Sequence, residues 1–364
     1  MEKKQEFHGS DLEKVAEYYH IPKEKIIMFG ANINPLGIPK SVKRDLAANL
    51  DILSSYPDRE YSALKKAISN YCGAKEEHIV VGNGSTEIIS LLIREKNARH
   101  TVVIGPTYSE YAREIGLNGG KVTYYNLKEE NDFQLDPADF LQSLDEDVDF
   151  VILCNPNNPT SSVVKNNILK EILKSFKERN IFLMVDETYV EFALHVDTVT
   201  AIPLVKEFDN LLVIRGVSKF FAAPGIRLGY GITSDQSFLE QLAIHQDPWS
   251  VNSVAAFAGE KILQDKAYFK LTRDLIIKER KNAYLKLTSM KYAKPYRAYG
   301  NFIMVKILKD GLTAHDIFEA AIKQGMMIRD CSSFESLDGE FIRFCIMSRE
   351  DNDKLLRLLK KLLG

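Results

Sequence analysis

The chain has only four cysteines, Cys72, Cys154, Cys331 and Cys345, and no two of them form a C-x-x-C pair. Neither a zinc site nor a disulfide framework is expected, and the thiols read as small buried hydrophobes. No apolar run approaches the roughly 18 residues of a membrane span, and MEKKQEFHGS at the amino end lacks the apolar region of a secretory signal. A cytoplasmic protein with no membrane partner is the expectation. An excess of one charge is missing too. The 48 basic and 50 acidic residues leave a net charge of −2 with no basic stripe, which argues against nucleic acid as a partner. Internal repeats, low-complexity linkers, G-x-G-x-x-G and the Walker sequence are all lacking. What remains is ordinary globular composition, 45% hydrophobic and 27% charged over 364 residues. That is enough for one large or two medium-sized units acting on a small molecule.

Through the middle of the chain, short apolar runs alternate with amphipathic stretches. Strands are predicted at 78–81, 101–104, 121–125, 150–153, 182–185, 211–214 and 228–233, with helices at 85–94, 108–115, 168–179 and 237–246. The pattern is α/β and predicts a large domain with a mostly parallel seven-stranded sheet, covered on both faces. After Trp249, long helices at 251–264 and 266–290 precede a smaller α+β unit with strands at 302–307, 326–329 and 341–346 and helices at 314–324 and 349–363. The first fifty residues hold one amphipathic helix, 11–19, and an extended segment, 29–39, with too little apolar content to fold alone. The predicted division is therefore 1–50 as an arm and part of a small domain, 51–250 as the large domain and 251–364 as the small carboxyl-terminal domain.

In open α/β sheets ligands gather beyond the carboxyl ends of the strands, so the polar residues after each apolar run are the candidates. V80-V-G-N-G-S-T-E87 offers glycines and a helix start, where backbone amides can cup an anion; an ordinary turn with Ser85 or Thr86 as cap reads equally well. L153-C-N-P-N-N-P-T160 presents Asn158 before a proline, with a candidate cis bond, or is a plain Asn/Pro turn. Asp186 ends the apolar run of L183-M-V-D-E-T-Y-V190 and must find a partner, whether a protonated ring nitrogen or a structural network; Tyr189 follows three residues on. Lys219, in V213-I-R-G-V-S-K-F-F-A-A-P-G-I-R-L-G-Y230, lies in a largely uncharged setting that could depress its pKa for Schiff-base chemistry, and Arg227 eight residues later could hold an anion. An anion cup, a buried acid for a cationic ring and an amine nucleophile match the phosphate, pyridine nitrogen and aldehyde of pyridoxal 5'-phosphate.

On these motifs, in this order and spacing, the chain resembles the fold type I pyridoxal-phosphate enzymes of the class I/II aminotransferase family over essentially its whole length. The resemblance implies that Gly84, Ser85 and Thr86 cup the cofactor phosphate, that Ser218 and Arg227 complete that site, and that Tyr108 of G-P-T-Y stacks on the ring. It implies also that Asn158 and Tyr189 bond the ring hydroxyl, Asp186 pairs with the pyridine nitrogen and Lys219 is the covalent anchor, these last two with Tyr189 forming the catalytic set. Tyr56 of S-Y-P-D matches a tyrosine that reaches the phosphate across a dimer interface, so a homodimer with a shared active site is implied. Two departures stand out. Gly216 replaces the frequent Ser or Thr three residues before the lysine, and Ser161 replaces the glycine of N-P-T-G.

Within the family, H8-G-S, A31-N-I-N-P-L-G37, Q246-D-P-W-S-V-N252 and R329-D-C-S-S-F resemble the threonine-phosphate decarboxylases of cobalamin biosynthesis and their relatives the histidinol-phosphate aminotransferases. That branch implies a small phosphorylated amino acid or amino alcohol as substrate. Arg343 would take its carboxylate, and Arg329, His8 and Asn32 its phosphate, since guanidinium groups grip both anions in two-pronged fashion. Decarboxylation of L-threonine O-3-phosphate is the leading expectation. Transamination of histidinol phosphate or another small amino acid is the alternative, to which Tyr189 and Tyr108 lean. No metal is expected in either.

Overall fold

The computed structural model describes residues 7–364. Thirteen strands lie among them: β1 (Ile27–Met28), β2 (Ile79–Asn83), β3 (His100–Gly105), β4 (Lys121–Asn126), β5 (Phe150–Cys154), β6 (Phe182–Asp186), β7 (Leu211–Gly216), β8 (Leu228–Thr233), β9 (Ala293–Pro295), β10 (Phe302–Ile307), β11 (Met326–Met327), β12 (Arg329–Asp330) and β13 (Phe341–Cys345). Seven form the large sheet, in the order β2-β8-β7-β6-β5-β3-β4. Its strands β5, β6 and β7 are buried along their whole length, which is why they read as unbroken apolar runs. Four of the six pairings are parallel, and β8 alone runs against its neighbours. That reversal matters for the site. Leu228 at the start of β8 pairs with Asn83 at the end of β2, so Arg227 arrives at the same edge as the carboxyl ends of the parallel strands.

The helices cover this sheet by simple periodicity. Asn166–Glu178 buries Leu169, Ile172, Leu173 and Phe176, spaced as one face of a helix, against β6. Each such side chain contributes about 1.5–3 kcal/mol on burial, and a charge at Leu173 would undo the packing.

A second, antiparallel sheet has the order β12-β13-β10-β9 and is packed by helices Lys266–Thr288 and Ala314–Ile322, on which helix Arg349–Leu363 lies with Leu355, Leu356 and Leu359 buried. β1, from the amino-terminal segment, pairs in parallel with β11. One continuous core of buried side chains joins both sheets. All four cysteines are unpaired and three are buried. Among the described residues no helix is long and apolar enough to cross a membrane.

Some elements differ from the sequence-based expectation. The strand predicted at 326–329 is two short pieces, because β11 pairs with β1 while β12 turns to β13. The helix predicted from Tyr108 begins at Glu110, leaving Tyr108 in the loop after Pro106. Helix Lys40–Ala48 buries only Val42, too sparse an apolar pattern to be read from sequence, and helices Ser62–Cys72 and Pro137–Gln142 and strand β9 were missed with it.

Candidate active site

A cavity of about 380 Å3 opens between the large sheet's carboxyl edge and the small sheet. Every sequence-predicted site residue lines it except Tyr56. Tyr56 is 80% exposed and stacks obliquely on Trp249 with ring centroids 4.7 Å apart, away from the cavity of its own chain.

The anion cup is built by two glycines. Gly84 has φ +79° and occupies the cap position of helix Ser85–Glu95, where no side chain caps the helix. Ser85 and Thr86 are thus not used as the cap that an ordinary turn would need. A Cβ on Gly84 would run into the Arg227 guanidinium, and one on Gly229 would lie 2.6 Å from the Gly84 carbonyl carbon. The two glycines let helix start, β8 and arginine converge, leaving free amides and a cation at one point.

Asp186 ends β6 and is 5% exposed. Its Oδ2 accepts from the Tyr111 hydroxyl at 2.6 Å, and its Oδ1 from the Thr188 amide at 2.9 Å and hydroxyl at 2.5 Å. Among the described residues it has no cation within ion-pairing distance. A buried carboxylate without a cation suits the protonated nitrogen of a pyridine ring. The cup and this acid therefore fit pyridoxal 5'-phosphate.

Lys219 follows β7, is half-buried, and donates from Nζ to the Ala31 carbonyl at 2.9 Å. Burial, and next the charge of Arg343, push its pKa down to about 8. The amine is thereby a nucleophile near neutral pH. Tyr189 is buried, which raises its phenol above the ordinary value, and its hydroxyl accepts from Asn32 Nδ2 at 3.4 Å. Asn158 is buried and precedes Pro159 through a cis peptide, and its Oδ1 accepts from Arg343 Nη1.

On the small-sheet side, Arg343 also donates to the Gly30 carbonyl, while its Nε is buried with no partner. Arg329 donates to the Phe7 carbonyl and, at 2.5 Å, to Ser333. The amino-terminal chain crosses tightly here: a Cβ on Gly30 would lie 2.9 Å from the Gly9 carbonyl oxygen. This crossing sets His8 at the cavity mouth, its Nδ1 2.7 Å from the Ser10 hydroxyl. Partial withdrawal from water, and next Arg329, lower the His8 pKa. Asn32 has φ +56° and a buried, unpartnered Oδ1.

The two departures differ in kind. A Cβ on Gly216 would come no closer than 3.4 Å to any neighbour, so glycine is not sterically demanded there. Ser161 has a left-handed backbone, at φ +60°, a region that favours glycine, and its Oγ accepts from the amides of Tyr299 at 3.0 Å and Gly300 at 2.8 Å. The hydroxyl ties the Asn158 loop to the segment leading into β10. Sequence reading missed Tyr111, Thr188, Gly9 and Ser333. Only Thr188 carried a signal, as a polar residue two positions beyond the end of β6.

Fold and chemistry together define the class: an enzyme of a pyridoxal-5'-phosphate-dependent family with the type I fold. The chain belongs to the aminotransferase class I and II family, whose sequence profile matches residues 24–359. It is 33% identical over 356 residues to the threonine-phosphate decarboxylase of Salmonella typhimurium, covering 98% of this chain and 96% of that one. The histidinol-phosphate aminotransferase of Methanopyrus kandleri is 31% identical over 371 residues, with coverage of 98% and 93%. The solved histidinol-phosphate aminotransferase of Clostridium acetobutylicum superposes with a TM-score of 0.86 at 32% identity, covering 92% of this chain and 98% of that structure.

Proposed function

We propose that this protein decarboxylates L-threonine O-3-phosphate to the phosphate of 1-aminopropan-2-ol. The observation that carries the proposal is the pair Arg329 and Arg343, opposite each other on β12 and β13 and both lining the cavity. Two guanidinium groups with His8 at the mouth suit a small substrate with two anionic ends. The Salmonella relative, named for this reaction, supports the reading.

When bound, pyridoxal 5'-phosphate supplies an aldehyde for the substrate amine and a cationic ring that withdraws electrons from Cα. The chain's residues do the rest. Gly84, Ser85, Thr86, Ser218 and Arg227 hold the cofactor phosphate, Tyr108 covers the ring, and Asn158 and Tyr189 bond its hydroxyl. Asp186 holds a proton on the ring nitrogen. Arg343 takes the substrate carboxylate, and Arg329, His8 and Asn32 take its phosphate. Lys219, the covalent anchor, carries protons to and from the substrate because its amine is half-neutral near pH 8.

We infer further that two copies share each site. Tyr56 and Trp249 stack on the exterior, and Leu50 and Leu53 beside them are also exposed, an apolar surface that a second copy would cover. Tyr56 would then reach the partner's phosphate cup. A cytoplasmic location is part of the same proposal.

A second reading is transamination of histidinol phosphate, which the Clostridium structure and the hydroxyl of Tyr189 favour. The deciding experiment incubates purified holoenzyme with L-threonine O-3-phosphate, following carbon dioxide, and in parallel with histidinol phosphate plus 2-oxoglutarate, following glutamate. Carbon dioxide release supports decarboxylation; glutamate without carbon dioxide replaces it with the second reading.

A further inference from the structure

Asp186 is held by more donors than a surface carboxylate would find. Tyr111, 1% exposed, donates to one oxygen, and Thr188 donates twice to the other. Tyr111 has little freedom to leave, since its ring sits edge-on to Tyr108 with centroids 5.5 Å apart and its helix packs against β3 and β4. The resulting carboxylate is fixed in plane and rotation, with Asp186 lining the cavity.

A buried carboxylate facing a ring nitrogen can share one proton in two ways. With the proton on nitrogen both groups are charged; with the proton on oxygen both are neutral. Withdrawal from water favours the neutral pair, whereas hydrogen bonds donated to the carboxylate favour the charged one. Three donors on Asp186 weigh toward the charged pair. We propose that Tyr111 is a positioning residue that, together with Thr188, keeps the shared proton on the cofactor's ring nitrogen instead of on Asp186. This rests on the reading of Asp186 as the partner of that nitrogen.

The other ionisable groups around Asp186 are Cys154, Tyr108, Tyr189 and Lys219. Burial raises the thiol and both phenols, so only Lys219 titrates near neutral pH, and its linkage to the cofactor provides the readout. A positive ring nitrogen lowers the pH at which the Lys219-linked chromophore loses its own proton. The experiment titrates the visible absorbance of the holoenzyme from about pH 5 to about pH 10 in the parent and in Asp186→Asn, Tyr111→Phe, Thr188→Val and Thr188→Ser. In Tyr111→Phe the midpoint should rise by roughly one pH unit and cofactor affinity should fall roughly tenfold. Thr188→Val should move the midpoint in the same direction, and Thr188→Ser should restore the parent value. A shift in Asp186→Asn with none in Tyr111→Phe or Thr188→Val overturns the proposal and leaves the assignment of Asp186 standing. No shift even in Asp186→Asn overturns that assignment as well. Should Tyr111→Phe not fold, the Thr188→Val and Thr188→Ser pair decides.

Discussion

Arg329 on β12 and Arg343 on β13 are direct register partners across an antiparallel pair, so their side chains leave the same face of the small sheet. Like charges directly opposite each other destabilise a sheet unless an anion lies between them. Replacing either by Gln should raise the KM for a phosphorylated amino acid between roughly tenfold and a hundredfold, the range of a hydrogen bond to a charged group. Steady-state kinetics checks this. Lys in place of Arg343 should recover only part of the loss, because a single ammonium cannot grip a carboxylate with two prongs.

Burial of Lys219 makes a stability prediction with a definite sign. Its folded pKa is depressed from 10.5 to about 8, so below pH 8 the amine is charged in both folded and unfolded chains and the burial penalty is fully present. Between pH 8 and 10.5 the unfolded chain binds more protons, and the penalty fades. Cofactor-free Lys219→Met should therefore melt above the cofactor-free parent at pH 7, with the difference shrinking as pH rises through that window. Calorimetry at several pH values tests it. The same variant should show no absorption band from covalently held cofactor and no turnover.

Ser161→Ala should be more damaging than Ser161→Gly. Alanine keeps the left-handed backbone and deprives the Gly300 amide of its acceptor, a loss of about 1–3 kcal/mol, whereas Tyr299 still reaches the Ser161 carbonyl at 3.0 Å. Glycine loses the same acceptor but recovers roughly 1–2 kcal/mol of backbone strain. Urea melts of the two variants separate these cases, and equal stability would refute the account.

Gly216→Ser should fold normally, since the nearest atom to a new Cβ is 3.4 Å away. It should tighten cofactor binding severalfold, the added hydroxyl donating to the cofactor phosphate. Titration of the apoprotein with pyridoxal 5'-phosphate measures this, and unchanged affinity would show that the position is not turned toward the phosphate.

Trp249 is the sole tryptophan and lies against Tyr56 on the outer face. If a second copy covers that face, dilution should shift its emission to longer wavelength as dimers separate, and Tyr56→Ala should move the transition to higher protein concentration. A single monomeric species in sedimentation at micromolar concentration would rule the shared site out.

Much of the site could be read before any coordinates because its residues sit at strand ends. Asp186, Asn158 and Lys219 each follow an apolar run that only a buried strand explains, so their common edge follows from the α/β pattern. Tyr111 was invisible for the opposite reason: it lies on a helix face with ordinary spacing, and only the approach of that helix to β6 turns a core tyrosine into a donor for Asp186. The short β11 and β12 were read as one strand because three apolar residues followed by Arg329 do not say which partners they have.

The order of apolar runs and of the polar residues ending them is local information, and it determined the α/β class, the mostly parallel sheet and which strand-end residues are candidates for the site. What only the folded chain decided is which distant groups share the cavity. The pairing of β1 with β11 and the Gly9–Gly30 crossing bring His8 beside Arg329, and the β12–β13 register sets Arg329 beside Arg343. Those contacts depend on packing between segments some three hundred residues apart, which periodicity, a property of neighbours, does not encode.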